Sequence, residues 1–177
     1  MTQEPKSQQT NSAAPAGFSA AGFSRTQIVL HWVVAVLILF QFVTHEAIED
    51  WWRDSTGGLP DPGPAFGHIV AGMAVLVLMI VRVAVRWRRG APEQPDDISP
   101  LLKHASHWAH VALYAVLFLI PISGLAAIFI ASPAAEAHEI LTSLLLALVV
   151  LHVLGALYHL VIRRDGVFKR IFVSRQA

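Results

Sequence analysis

The sequence predicts an all-α fold, a polytopic membrane protein built as a four-transmembrane-helix bundle with both termini in the cytoplasm. Three observations carry this. The 177-residue chain is 55% hydrophobic and 14% charged, where a soluble domain is near 25% charged. It holds four long apolar runs, each close to the ~20 residues a helix needs to cross a bilayer. Its basic residues fall on one side of those runs, with Arg53 alone on the other, as the bias of Lys and Arg towards cytoplasmic loops demands.

Residues 1–24 are small and polar without periodicity, which predicts a disordered tail. The first apolar run starts only near Ile28 and no small-residue cleavage site follows it, so a secretory signal is not expected. The membrane domain is expected over 25–173, with 174–177 as a short tail. Its first span is Gln27–Val43, only just long enough to cross, with His31 near its start. The second is Phe66–Val85, with His68 near its start and Arg82 near its end. The third is Trp108–Ile130, with His110 near its start and Pro121 within it. The fourth is Leu141–Ile162, which contains His152 and His159. The cytoplasmic side then holds Lys6, Arg25, the cluster from Arg82 to Lys103 and the cluster from Arg163 to Arg175. Trp32, Trp51, Trp52, Trp87 and Trp108 fall mostly at span ends, as an aromatic belt predicts. Net charge is +1, which gives no reason to expect a nucleic-acid partner; the surrounding partner is membrane lipid.

There is no cysteine, which excludes disulfides, iron–sulfur clusters, Cys-ligated zinc and covalent c-type haem attachment. Nine histidines are the abundant metal-ligand type, and ionisable groups inside a bilayer are costly and usually functional. His152 and His159 are seven residues apart, two helical turns, which puts them on one face about 10.5 Å apart along the axis. One helix offering two imidazoles can hold one axial position of each of two haems. Depth supplies the partners. His31 and His159 both lie near the inner face; His68 lies towards the outer face and His152 two turns outward from His159. The expected axial pairs are therefore His31 with His159 and His68 with His152. Two neutral imidazoles fill both axial positions of an iron and leave no site open for oxygen, which suits electron transfer. Gly72, one turn after His68, and Gly155 leave room for a flat group against the backbone. His107, His110 and Tyr114 share one face at the inner end of the third span; they are rival inner ligands, or contacts for propionates or a quinone headgroup. His45, His104 and His138 fall at interfaces, where a solvated histidine is ordinary. The arginine clusters Arg86, Arg88, Arg89 and Arg163, Arg164 read as topology determinants first and propionate partners second.

The stretches RTQIVLHW, GHIVAGMAVLVLMIVRVAVRW, HWAHVALYAVLFLIPISGL, HEIL and LHVLGALYHLVIRRDGVFKRIF together resemble the bacterial cytochrome b-561 family over about residues 24–173. The resemblance implies four transmembrane helices in the bacterial inner membrane and two haem b groups. It implies electron transfer in a respiratory chain, with ubiquinone as exchangeable redox partner and another redox protein as a further one. The family's ligands match His31 and His159 for one haem, and His68 and His152 for the other. One member type oxidises superoxide at the outer face and reduces ubiquinone, so a superoxide:ubiquinone oxidoreductase is the alternative reading. Two features disfavour it. The connection between the third and fourth spans, Ala131–Ala137, is short. The outer side carries Glu46, Glu49, Asp50, Asp54, Asp61, Glu136 and Glu139 against Arg53, the wrong sign for steering an anion. A second alternative is a metal transporter using the stripe His138, His152 and His159.

Overall fold

The computed structural model describes residues 22–55, 58–90, 92, 98–130 and 133–174; the expected tails at 1–24 and 174–177 lie almost wholly outside them. Five α-helices form among the described residues: α1 (Arg25–Val43), α2 (His45–Asp54), α3 (Pro64–Arg89), α4 (Pro100–Phe129) and α5 (Pro133–Leu157). α5 continues as a π-helical turn, Tyr158–Arg163, and a short 3₁₀ turn, Phe168–Ile171, follows. Four of these, α1, α3, α4 and α5 with its π turn, are long and apolar enough to cross a membrane.

Local signals set the starts. Ser24 caps α1: its Oγ accepts from the Gln27 N–H (3.3 Å), and the Gln27 Oε1 accepts from the Ser24 N–H (3.0 Å), a reciprocal capping box. Ser99 caps α4 at the Leu102 N–H, and Pro64 and Pro100 occupy first-turn positions where no amide donor is needed. α4 and α5 begin eight residues before the expected third and fourth spans. The helix α2 is also outside the sequence expectation. It is ten residues long, with Glu46, Glu49, Asp50 and Arg53 exposed. Its length and polarity forbid a crossing, and it lies at the acidic end of the bundle against α3.

The close helix pairs are α4 with α5, α1 with α3, and α3 with α4. Their shared core is small: Val34, Val75 and Met79 are fully buried, flanked by Leu37, Leu78, Leu117 and Phe118. Val36, Leu39, Val77, Ile80, Leu119, Leu146 and Leu151 instead face outward, where lipid rather than protein covers them. α5 meets α1 and α3 through histidine side chains, His152 at His31 and His138 at His68.

Candidate functional site

Near the acidic end, His68 stands four residues into α3 and His138 five residues into α5. Their ring centroids are 6.5 Å apart. Two metal–imidazole bonds of about 2 Å each, plus the depth of each ring, need a centroid separation of about 6 Å. Both rings are oriented through Nδ1. The Thr44 hydroxyl donates to the Phe40 carbonyl (2.9 Å), so its oxygen accepts from the His68 Nδ1–H (3.1 Å). The His138 Nδ1–H donates to the Ile120 carbonyl (2.8 Å), on the turn where Pro121 removes an amide donor from α4. With both Nδ1 hydrogens committed to oxygen, both Nε2 lone pairs are free, the arrangement that outer partners impose on metal-ligating histidines.

A cavity of about 440 Å³ contains this pair, within the 300–1,000 Å³ typical of cofactor sites. Gly124 clears the His138 ring: a Cβ there would lie 3.0 Å from its Cε1. Gly72 clears Gln41, whose Nε2 would lie 2.9 Å from an added Cβ. The Gln41 Oε1 is buried without a hydrogen-bond partner among the described residues, and it lines the cavity. An open apolar cavity, two imidazoles with free Nε2 atoms and an orphaned carbonyl fit a flat, metal-centred macrocycle. Gly124→Ala pushes the His138 ring off this position. The expected result is loss of the low-spin signal of any haem held by His68 and His138, read in the reduced-minus-oxidised spectrum. Thr44→Val removes the acceptor at His68 Nδ1 and should weaken haem retention by about 10–100-fold, the usual cost of losing such a partner, read by haem transfer to apomyoglobin.

The second cluster lies towards the opposite, basic end. His31 of α1 faces His152 of α5 with centroids 6.3 Å apart. His110 of α4 stands edge-on to His152 at 5.3 Å, its Nδ1–H donated to the Ser106 carbonyl (2.6 Å). Arg82 reaches this cluster from α3. Its Nη2 donates to the His31 Nδ1 (2.9 Å) and its Nε donates to the Tyr114 hydroxyl (3.1 Å). His31 therefore carries its proton on Nε2 here, and it can offer that nitrogen to a metal once Arg82 releases Nδ1 and the proton moves there. Gly155, three residues after His152, faces open space.

These pairs differ from the sequence expectation. His31 meets His152, not His159, and His68 meets His138, not His152. His138 and His152 are fourteen residues apart on α5. That is close to four turns, so they share a face about 21 Å apart along the axis. His159 is turned elsewhere: its Nδ1–H donates to the Asp165 Oδ2 at 2.6 Å. The cause is the π turn Tyr158–Arg163, whose wider winding breaks the 3.6-residue register just before His159. The stripe His138, His152, His159 does not converge either. Among the described residues no three His, Asp or Glu side chains gather around a metal position.

Comparison with known proteins identifies the family. The profile of the family described as prokaryotic cytochrome b561 matches residues 22–173. Cytochrome b562 of Cereibacter sphaeroides is 31% identical over 156 positions, covering 87% of this chain and 97% of that one. The probable superoxide oxidase CybB of Yersinia pestis is 24% identical over 176 positions, covering 87% and 97%. Cytochrome b561 homolog 1 of Escherichia coli K12 is 25% identical over 181 positions, covering 87% and 98%.

Proposed function

The chain belongs to the prokaryotic cytochrome b561 family, a multi-pass inner-membrane electron-transfer protein that binds b-type haem, and on that premise we propose that it is a dihaem electron carrier exchanging electrons with the quinone pool. His68 and His138 would hold one haem, and His31 and His152 the other. The observation that carries this reading is the repeated spacing: two imidazole pairs, 6.5 and 6.3 Å between centroids, each with one member on the same face of α5.

When bound, each haem supplies a reversible one-electron couple at its iron. The chain's residues do the rest. Thr44 and the Ile120 carbonyl fix which nitrogen His68 and His138 present. Val75, Leu117 and Leu145 wall the cavity between those rings with apolar surface, which keeps water from the iron. Arg82 places a positive charge against His31. The two layers lie about 21 Å apart along α5, so together they span most of the ~30 Å hydrocarbon core.

A second reading is favoured by the similarity to the Yersinia pestis protein described as a probable superoxide oxidase. Two observations weigh against it. The match to cytochrome b562 covers 87% of this chain in 156 positions, while the match to CybB needs about twenty more for the same share, so that relative carries residues absent here. The acidic end exposes Glu46, Glu49, Asp50, Asp54, Glu136 and Glu139, which repels an anion. The two readings separate in one experiment on purified, haem-replete protein. A short-tailed ubiquinol should reduce both haems within the mixing experiment, and enzymatically generated superoxide should leave them oxidised. Rapid reduction by superoxide, blocked by superoxide dismutase, would instead make the chain a superoxide oxidase.

A further inference from the structure

Arg82 is a charge set inside a span. It stands two turns before the end of α3, while Arg86, Arg88 and Arg89 occupy the last turn. An ionisable group at membrane depth is costly and marks a functional position by default. A long basic side chain near a span end ordinarily reaches outward to the interface. Arg82 reaches inward instead. Its Nη2 donates to the His31 Nδ1 (2.9 Å) and its Nε to the Tyr114 hydroxyl (3.1 Å), so the guanidinium is held at two points. Tyr114 gathers a second cation as well. The guanidinium carbon of Arg82 lies 5.7 Å from its ring centroid and that of Arg86 5.9 Å, both within reach of cation–π attraction.

No carboxylate offsets this charge among the described residues. Asp165 is the one acid they place at the basic end, and it accepts from His159, Arg163 and the Val167 N–H. A guanidinium keeps its charge in proteins, so the field at His31 is fixed. The acidic end is built the other way. Glu49, Glu136 and Glu139 line the cavity that holds His68 and His138, and Arg53 on its lining is tied to Glu49 and Asp50. The two rings there are oriented by neutral oxygens, the Thr44 hydroxyl and the Ile120 carbonyl.

This asymmetry acts on a redox centre. Reduction of a haem iron adds one electron and moves no proton at these residues, so the charge of the site falls by one. A fixed cation one imidazole away favours the reduced state, and a surround of carboxylates favours the oxidised one. At an effective dielectric of about 20, a unit charge at that range moves an equilibrium by about tenfold or more. Turning the His31 Nδ1 proton towards Arg82 does not dismiss the charge, because the Tyr114 bond keeps the guanidinium beside the ring.

We propose that Arg82, held by Tyr114, sets the redox potential of the haem at the basic end and raises it above that of the haem at the acidic end. This rests on the reading that His31 and His152 hold one haem and His68 and His138 the other. Arg82 is a positioning residue in this scheme: it acts on the iron through the field at His31. An electron that enters at the acidic end then moves downhill to the basic end.

The test is a potentiometric titration of the full-length, haem-loaded protein in nanodiscs, followed by haem absorbance, with a haem count alongside. Wild type should show two midpoint potentials. In Arg82→Gln one of them should fall by at least the ~59 mV that a tenfold shift of a one-electron equilibrium represents, with the other in place and both haems retained. Arg82→Lys keeps the charge and should hold most of the wild-type value. Tyr114→Phe frees the guanidinium and should lower the same haem by less. Two single-haem backgrounds assign the shift. His138→Ala keeps the basic-end haem, which Arg82→Gln should lower; His152→Ala keeps the acidic-end haem, which should titrate lower and ignore Arg82→Gln. Two haems with unshifted potentials in Arg82→Gln would overturn the role of Arg82 and leave the dihaem reading standing. A shift shared by both haems, or an equal fall in Arg82→Lys, would put the effect in packing and overturn it too. Loss of a haem in Arg82→Gln would make Arg82 a contact that retains haem, again against the proposal. A wild type with one haem would refute the dihaem reading and this inference with it.

Discussion

Replacing His138 with alanine takes the protein from two haems per chain to one, and the haem that remains keeps its six-coordinate, low-spin spectrum. The effect is all-or-none because each iron in this arrangement has two protein bonds, and one imidazole cannot hold it alone in a cavity that opens at the acidic end. The surroundings make the loss specific. His138 is oriented by the Ile120 carbonyl and cleared by Gly124, both on α4, and neither touches the His31–His152 cluster. Added imidazole should restore part of the lost absorbance, since it can enter the vacated position with its own lone pair. Pyridine haemochrome counts the haem, and low-temperature spectra report coordination. A His138→Ala protein with two low-spin haems would remove His138 from the site.

The second large effect comes from combining substitutions at His152. His152 faces His31 at 6.3 Å, so His31→Ala and His152→Ala damage the same haem. The double variant should therefore keep one haem, as each single variant does. His68→Ala together with His152→Ala strikes both haems and should leave none. The pairing His68 with His152 predicts the reverse in each case. Non-additivity within a pair and additivity between pairs is the usual mark of residues that share one partner. The outcome needs no assignment of spectra to individual haems, only a count. His110 provides a check on the alternative pairing, since it is edge-on to His152 at 5.3 Å. His110→Ala should retain both haems.

The spans were legible because hydropathy and length are local properties of the chain. His31 and His68 stand near the span starts, as the runs around them indicate, and His152 falls in the second half of α5. His138 is not legible as the partner of His68 because the apolar run begins only at Leu141, which puts His138 at the interface. Pro133 in the first turn and Glu136 close behind it carry the start signal that extends α5 backward. Its fourteen-residue spacing to His152 is then a second signal, as regular as the seven-residue one. His159 was misplaced for a different reason. A sequence periodicity assumes constant winding, and the π turn at Tyr158 changes it without any residue that announces the change. Asp165 stands among basic residues in the sequence; only the fold of Arg164 and Gly166 brings its carboxylate to His159. The helix α2 is not legible in the sequence because ten residues hold too few turns for a periodic signal. The Arg82–His31 contact joins residues 51 apart in sequence, and no local pattern encodes it.

The haem content of the purified wild-type protein tests the central claim most directly, counted by pyridine haemochrome against protein concentration, with electron paramagnetic resonance of the oxidised state. Two haem b per chain, both low-spin with two imidazole ligands, is the predicted result. One haem per chain, or a high-spin signal from a five-coordinate iron in either position, would contradict the pairing of His68 with His138 and of His31 with His152.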